Sequence, residues 1–447
     1  MESSPREEEL EAAAQRLAKL LAEGAVDQAD PGNLAHQVPV PSKAALLGLF
    51  MGAVYQQNQA ARELSPVTSA LEDQVIESYA AMLGLGQNAW GYLCSGGTSA
   101  SLHALWTHSE RAGEASVDLI CSHATHVSVD RVAGALKGIR LQRLDCDAQE
   151  RITVGPVEQA VRDSLSAGRL PVVVATCGTT GAGQIDPIAE LVELRRKTPF
   201  VLHVDGAWGG FLPTLTATGR LGRHARDVAA LAHVDSIGID SHKMASMPVG
   251  CAVLLFRDPA LREPVHRHSP YVFAEGRGHS YGQLSLTMSR NGMYAAAHWL
   301  QNQVRPLTAK GLGRDIEQIL DGARTVAEEM QRAGMRLLFE PTVGIVVCAP
   351  KRTTMSETNA VVRQVAAECL WHDERPMPDL PTISTYLITA PAVLERISRE
   401  TGVVGDTDEL SAFRLVVASP PRPGFQSRAA SAALALARHC GDPPMNR

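Results

Sequence analysis

The chain has 447 residues, 45% of them hydrophobic and 20% charged, enough to bury a large core and to favour two or three domains over one. A formal net charge of -6 without a basic block argues against nucleic-acid binding and anionic-lipid docking. No apolar run reaches about 18 residues and the N-terminus is acidic where a secretory signal would be basic, so membrane spanning and export are disfavoured.

Residues 5–21 repeat Leu10, Ala13, Leu17, Leu20 and Leu21 at helical spacing, which predicts an amphipathic helix whose stripe needs a partner surface. A second helix spans 43–59, Ser65-Pro66 breaks the chain, and a third helix runs to about residue 85. From residue 90 to 256 short apolar runs alternate with helical stretches; strands are expected at 117–121, 172–176, 200–204, 234–239 and 250–256. Near-continuous Val, Ile and Leu in these runs predicts a mostly parallel sheet covered on both faces, whose sites lie at the strands' carboxyl ends. A long helix starting near Arg290 and including Trp299 follows. Beyond Gly311 the pattern changes to helix 315–333, strands 335–339 and 344–348, helix 356–371, strands 382–389 and 412–418, and a last helix from 426. This divides the chain into an N-terminal helical segment (1–60), a large domain (61–310) and a smaller α/β domain with a mainly antiparallel sheet (311–447). The eight cysteines are dispersed, never at C-x-x-C spacing, and read as reduced core thiols of a cytoplasmic protein.

Chemistry concentrates at the ends of the apolar runs. Ser95-Gly96-Gly97-Thr98-Ser99 precedes a helix and suits a phosphate, because small residues leave backbone N–H groups open at a helix N-terminus; the alternative is a plain turn capped by Thr98 or Ser99. No Walker loop or G-x-G-x-x-G motif is present. His123 and His126 follow the strand ending at Cys121, and no third metal ligand accompanies them at zincin spacing. The loop Cys177-Gly178-Thr179-Thr180-Gly181 continues to Asp186-Pro187 and allows close backbone approach to a ligand. Two further runs deliver Asp205 and Lys243. Alone, each is most often a turn former or a solvated charge; together they match pyridoxal phosphate chemistry, in which an amine carries the aldehyde and a carboxylate keeps the pyridine nitrogen protonated.

His203-Val204-Asp205-Gly206-Ala207-Trp208-Gly209-Gly210 and Asp240-Ser241-His242-Lys243 resemble signatures of the group II pyridoxal phosphate-dependent amino-acid decarboxylases, which include the glutamate and aromatic amino-acid enzymes. The resemblance covers roughly residues 60–300. It implies a fold type I α/β architecture, with a mostly parallel seven-stranded sheet plus a smaller C-terminal domain, and a homodimer with active sites between subunits. It also implies conversion of an L-amino acid to the amine and carbon dioxide. Lys243 would carry pyridoxal 5'-phosphate, Asp205 would pair with the ring nitrogen, His126 would stack on the ring with Ala207 beneath it, and Gly97, Thr98 and Ser99 would contact the phosphate. Thr180 would hydrogen-bond near the ring's oxygen side, Asp186 would fix its loop, and His242 would contact phosphate or orient the lysine. Tyr271, with Tyr281 as rival, would return a proton to the α-carbon from a mobile loop. Arg414 interrupts an apolar strand and needs an anion, either a substrate carboxylate or Asp406 or Asp408. Gly206, Met244 and Arg131 stand where the family commonly has alanine, tryptophan and lysine, which leaves the substrate open. Competing readings are another fold type I reaction, such as carbon–carbon cleavage or oxidative deamination of the decarboxylated species, and a non-catalytic dimeric homologue.

Overall fold

The structure is a computed structural model that describes residues 5–269, 273, 279–369 and 382–441. Seven strands form the central sheet: β1 (Trp90–Cys94), β2 (Val117–Ser122), β3 (Ile139–Leu144), β4 (Leu170–Thr176), β5 (Val201–Asp205), β6 (Ser236–Ile239) and β7 (Ala252–Phe256). Their order is β1-β7-β6-β5-β4-β2-β3. The run from β3 to β6 is parallel, and β7 pairs antiparallel with both β6 and β1. The five expected strands are all here, as β2, β4, β5, β6 and β7.

β1 and β3 were not singled out by the apolar pattern, for opposite reasons. β1 is fully buried but short, and its Trp-Gly-Tyr centre breaks the aliphatic run. Gly91 is required there, because a Cβ would stand 1.9 Å from the Leu254 carbonyl oxygen of the paired strand. β3 is an edge strand, Ile-Arg-Leu-Gln-Arg-Leu, only partly buried; its charges discourage pairing with another chain.

A second sheet of β8 (Arg336–Leu337), β9 (Ile345–Ala349), β10 (Ser384–Ile388) and β11 (Leu410–Val416) has the order β10-β11-β9-β8 and is antiparallel throughout. The strand expected at 335–339 contracts to two residues. One hydrophobic cluster runs through both sheets, joining Val173 and Leu202 to Val347 and Phe413. The Trp208 indole N–H donates to the Val343 carbonyl across the junction.

The N-terminal helices are α1 (Pro5–Gly24), α2 (Lys43–Tyr55) and α3 (Pro66–Leu83). α2 packs closely on the helix Met293–Val304 because it presents Gly48 and Gly52 there; a Cβ on Gly52 would lie 2.5 Å from the Met293 Cα. Its other face carries Leu46, Leu47, Phe50, Met51, Val54 and Tyr55, all exposed, and the leucines of α1 are exposed as well.

Candidate active site

Neighbouring parallel strands deliver the acid and the amine to one crevice. β5 ends on Asp205, which pairs in register with Thr176 at the end of β4 and with Gly238 in β6. Asp205 Oδ1 accepts the Ala207 N–H at 3.0 Å, which fixes the carboxylate. Beyond β6 the chain turns tightly, with Lys243 N donating to Asp240 O at 3.1 Å and Ser246 N to Lys243 O at 2.9 Å. Three outside contacts pin this turn. Ser241 Oγ lies 2.8 Å from the buried Tyr79 hydroxyl, the Gln301 amide donates to Ala245 O at 3.0 Å, and Ser42 N donates to Ser246 O at 2.8 Å.

Lys243 Nζ lies 3.0 Å from Asp240 Oδ2, and His242 Nε2 lies 3.6 Å from the same oxygen. The His242 backbone N–H and ring Nδ1 both lie 3.0 Å from Cys251 O. A carbonyl only accepts, so Nδ1 carries the ring proton and Nε2 faces Asp240. Asp240 Oδ1 and Thr176 Oγ1 are buried without a hydrogen-bond partner among the described residues.

Helix α4 (Gly97–Ala112) opens at the crevice with no acidic residue in its own first turn, so its positive end faces the cavity. Glycine is needed at position 97: a Cβ would stand 3.2 Å from both Ala207 Cβ and Asp240 Oδ2. His126 lies in the turn after β2, where its Nδ1 accepts the Ser128 N–H at 3.2 Å, leaving the proton of the neutral ring on Nε2. The loop after β4 is closed by Gln184 N to Thr179 Oγ1 at 3.0 Å and Gly183 N to Thr179 O at 2.9 Å. Beneath it Asp186 accepts Thr176 N at 2.6 Å and Ile152 N at 2.7 Å, and burial lifts its carboxyl to about 7. Asp186→Ala strands two buried N–H donors and should cost about 3 kcal/mol. Urea unfolding measures this; an unchanged midpoint would mean the loop does not depend on Asp186.

The expected cofactor residues Gly97, Thr98, Ser99, His126, Thr180, Asp205, Ala207, His242 and Lys243 all line one cavity of about 650 Å³. Arg414 is not in that lining. It is buried in β11 and donates to Thr180 O at 2.7 Å, Ala35 O at 3.1 Å and Ser384 Oγ at 3.1 Å. Asp406, one of the carboxylates weighed for it, accepts from Ser356 N instead. Tyr271 lies outside the described residues. Its rival Tyr281 is absent from the cavity wall: its phenol donates to Asp73 at 2.7 Å, under the Arg290 guanidinium.

Asp240, Thr176 and His103 also line the cavity, and the sequence reading assigned none of them a role; Thr287, read there as part of a structural element, lines it too. Asp240, three residues before the lysine, was open to an i, i+3 search. His103 stands one helical turn past Ser99; burial, with the Arg290 charge, holds its imidazole at about 4 and therefore neutral.

These features fit pyridoxal phosphate. A helix N-terminus suits a phosphate, an amine suits the aldehyde, a carboxylate suits the ring nitrogen, and two orphaned oxygens lack a partner that the described chain does not supply. The family model described as the pyridoxal-dependent decarboxylase conserved domain matches residues 2–349. The chain belongs to this family. This decarboxylase uses pyridoxal phosphate to decarboxylate an amino acid. It is 30% identical over 286 residues to a probable L-tyrosine/L-aspartate decarboxylase of Methanothrix thermoacetophila, covering 63% of this chain and 69% of the relative. To an L-2,4-diaminobutyrate decarboxylase of Rhizobium meliloti it is 31% identical over 333 residues, 71% of this chain and 64% of that one. The solved structure of Oryza sativa TDC with PLP and tryptamine superposes with a TM-score of 0.77 at 16% identity, over 99% of this chain and 89% of the other, which shows the shared fold.

Proposed function

We propose that the cavity removes the α-carboxylate of a free L-amino acid as carbon dioxide and releases the amine, with Lys243 and Asp205 as its central residues. The convergence of Lys243, Asp205 and His126 on one cavity that opens at the N-terminus of α4 carries this reading. Bound pyridoxal phosphate supplies an aldehyde for the amino group and an electron-poor ring that accepts the electrons left as carbon dioxide departs.

The chain's own residues do the rest. Gly97, Thr98 and Ser99 would hold the phosphate, His126 and Ala207 would lie against the ring, and Asp205 would keep its nitrogen protonated. Asp240, with an oxygen 3.0 Å from Lys243 Nζ and His242 beside it, positions the amine in the cavity. Leu102, Trp208 and Leu286 give the cavity wall apolar surface. Tyr271 returns a proton to the α-carbon. Arg414, outside the cavity wall, acts on the site through the Thr180 carbonyl that it holds at 2.7 Å.

The test is to incubate the loaded protein with pooled L-amino acids and identify products by mass spectrometry. One amino acid replaced by its amine is expected. An aldehyde formed with oxygen uptake, or a carbon–carbon cleavage product, overturns the reading in favour of its rivals.

We also propose a homodimer in the cytoplasm, where Cys94, Cys121, Cys177 and Cys251 stay as buried thiols. The exposed face of α2 is apolar, with Phe50 at 69% exposure, and the cavity wall itself includes Val249 at 70%. A second copy covering both would complete the site. Phe50→Glu should give a monomer by light scattering and lower kcat at least about tenfold, since positioning is lost. A fully active monomer would contradict the dimer.

A further inference from the structure

The loop that carries Thr180 into the cavity is braced by half-buried Tyr386 of the second sheet and buried Glu150, a pair that the chemistry above does not use. Tyr386, in β10, lies so close to this loop that a Cβ on Gly181 would fall 2.2 Å from the phenol ring, so the ring rests directly on the Gly181 backbone. Its hydroxyl donates to Oε1 of Glu150, and Arg414 from the adjacent strand donates to the carbonyl of Thr180. Glu150 sits on the other side, in the turn after β3, at a left-handed φ of +63° with only 3% of its surface exposed. A non-glycine residue in that conformation and a carboxylate in that burial are both unfavourable, so the surroundings hold them there for a reason.

We propose that Tyr386 and Glu150 are a positioning pair for the active site: the phenol, aimed by the carboxylate, sets where Thr180 stands in the cavity without itself touching substrate. This rests on the reading of Thr180 as a contact of the bound cofactor or substrate. Asp186 ties down the base of the loop, and the pair ties down its tip.

The pair is pH-sensitive. Burial pushes the Glu150 carboxyl up to about 7 from the ordinary 4.5, opposed by the Tyr386 hydrogen bond and the Arg396 guanidinium. Cys146 and Arg414 are the other titratable groups facing the phenol. Ionised Glu150 accepts a charge-assisted bond from Tyr386, so the brace tightens as pH rises through about 7. The effect on global stability has the opposite sign. The folded state binds this proton more tightly than the unfolded chain, so stability from this group falls between the ordinary carboxyl value and about 7.

Tyr386→Phe and Glu150→Gln holoenzymes test the pair. Tyr386→Phe is expected to keep cofactor affinity within about twofold, to lower kcat at least about tenfold, and to speed amide exchange at residues 178–184. Glu150→Gln still accepts the phenol proton; it should hold kcat within about threefold at high pH and lose the inflection near neutrality that the wild type shows. Asp186 titrates in the same range in both proteins, so the difference between the two profiles belongs to Glu150. Wild-type kcat and exchange in Tyr386→Phe would overturn the proposal, as would lower unfolding midpoints with kcat unchanged in both variants. Should Tyr386→Phe not fold, an inflection that persists in Glu150→Gln overturns it. A loaded wild type that consumes no amino acid would count instead against the functional reading, and the exchange rates would still decide whether the pair holds the loop.

Discussion

Lys243→Ala should yield a protein with no covalently held cofactor, seen as loss of the visible absorbance that borohydride reduction abolishes, and a kcat lower by at least about a thousandfold. Two consequences of the local geometry add to the missing amine. Asp240 accepts Lys243 Nζ at 3.0 Å and is left in a nearly buried position with only His242 near it, at 3.6 Å. Removing one partner of such a pair destabilises more than the pair itself contributes, because the remaining charge has lost its solvent and its counter-ion. The turn that holds the lysine should survive, since its pins to Tyr79, Gln301 and Ser42 run through Ser241, Ala245 and Ser246. Lys243→Ala should therefore fold with a lowered melting temperature and an intact far-ultraviolet spectrum. Full activity, or an unchanged visible spectrum after borohydride, would remove Lys243 from its role and the functional reading with it.

How far the sequence reached follows from where each signal lives. β5 and β6 were legible because both faces of a central parallel strand are buried, which leaves an uninterrupted aliphatic run in the chain. β3 was not, since one side of an edge strand meets water and its arginines dilute the pattern. The residues that line the candidate cavity were readable as short motifs at strand ends, the position that a parallel sheet gives to a crevice. Asp240 stood in view beside Lys243, but a role for it depends on the turn that folds its carboxylate back onto the amine. For Arg414 the sequence required a partner and could not name one. The carbonyl it meets belongs to Thr180, 234 residues away and in the other sheet's loop, and no local spacing encodes that contact. The choice between two tyrosines was equally beyond periodicity: Tyr281 is spoken for by Asp73, a residue of α3.

Asp205→Ala is the second large effect, and it separates the electronic role of the acid from mere shape. A contact ion pair in a protein site of effective dielectric about 20 is worth about 4 kcal/mol, which corresponds to roughly a thousandfold in rate if the charge is needed most as carbon dioxide leaves. Asp205→Asn keeps the volume and can still accept the Ala207 N–H that now orients Oδ1 at 3.0 Å, so its backbone turn should be undisturbed. Both variants should nevertheless lose comparable activity, because an amide cannot hold a proton on a pyridine nitrogen by charge. Cofactor affinity should weaken in both, whereas covalent capture by Lys243, on a different strand end, persists. Were Asp205→Asn to retain most of the wild-type kcat while Asp205→Ala lost it, Asp205 would be acting through the shape of the Gly206-Ala207 turn. The ring nitrogen would then have to find its counter-charge elsewhere in the cavity, and Asp240 is the one other carboxylate in its described lining.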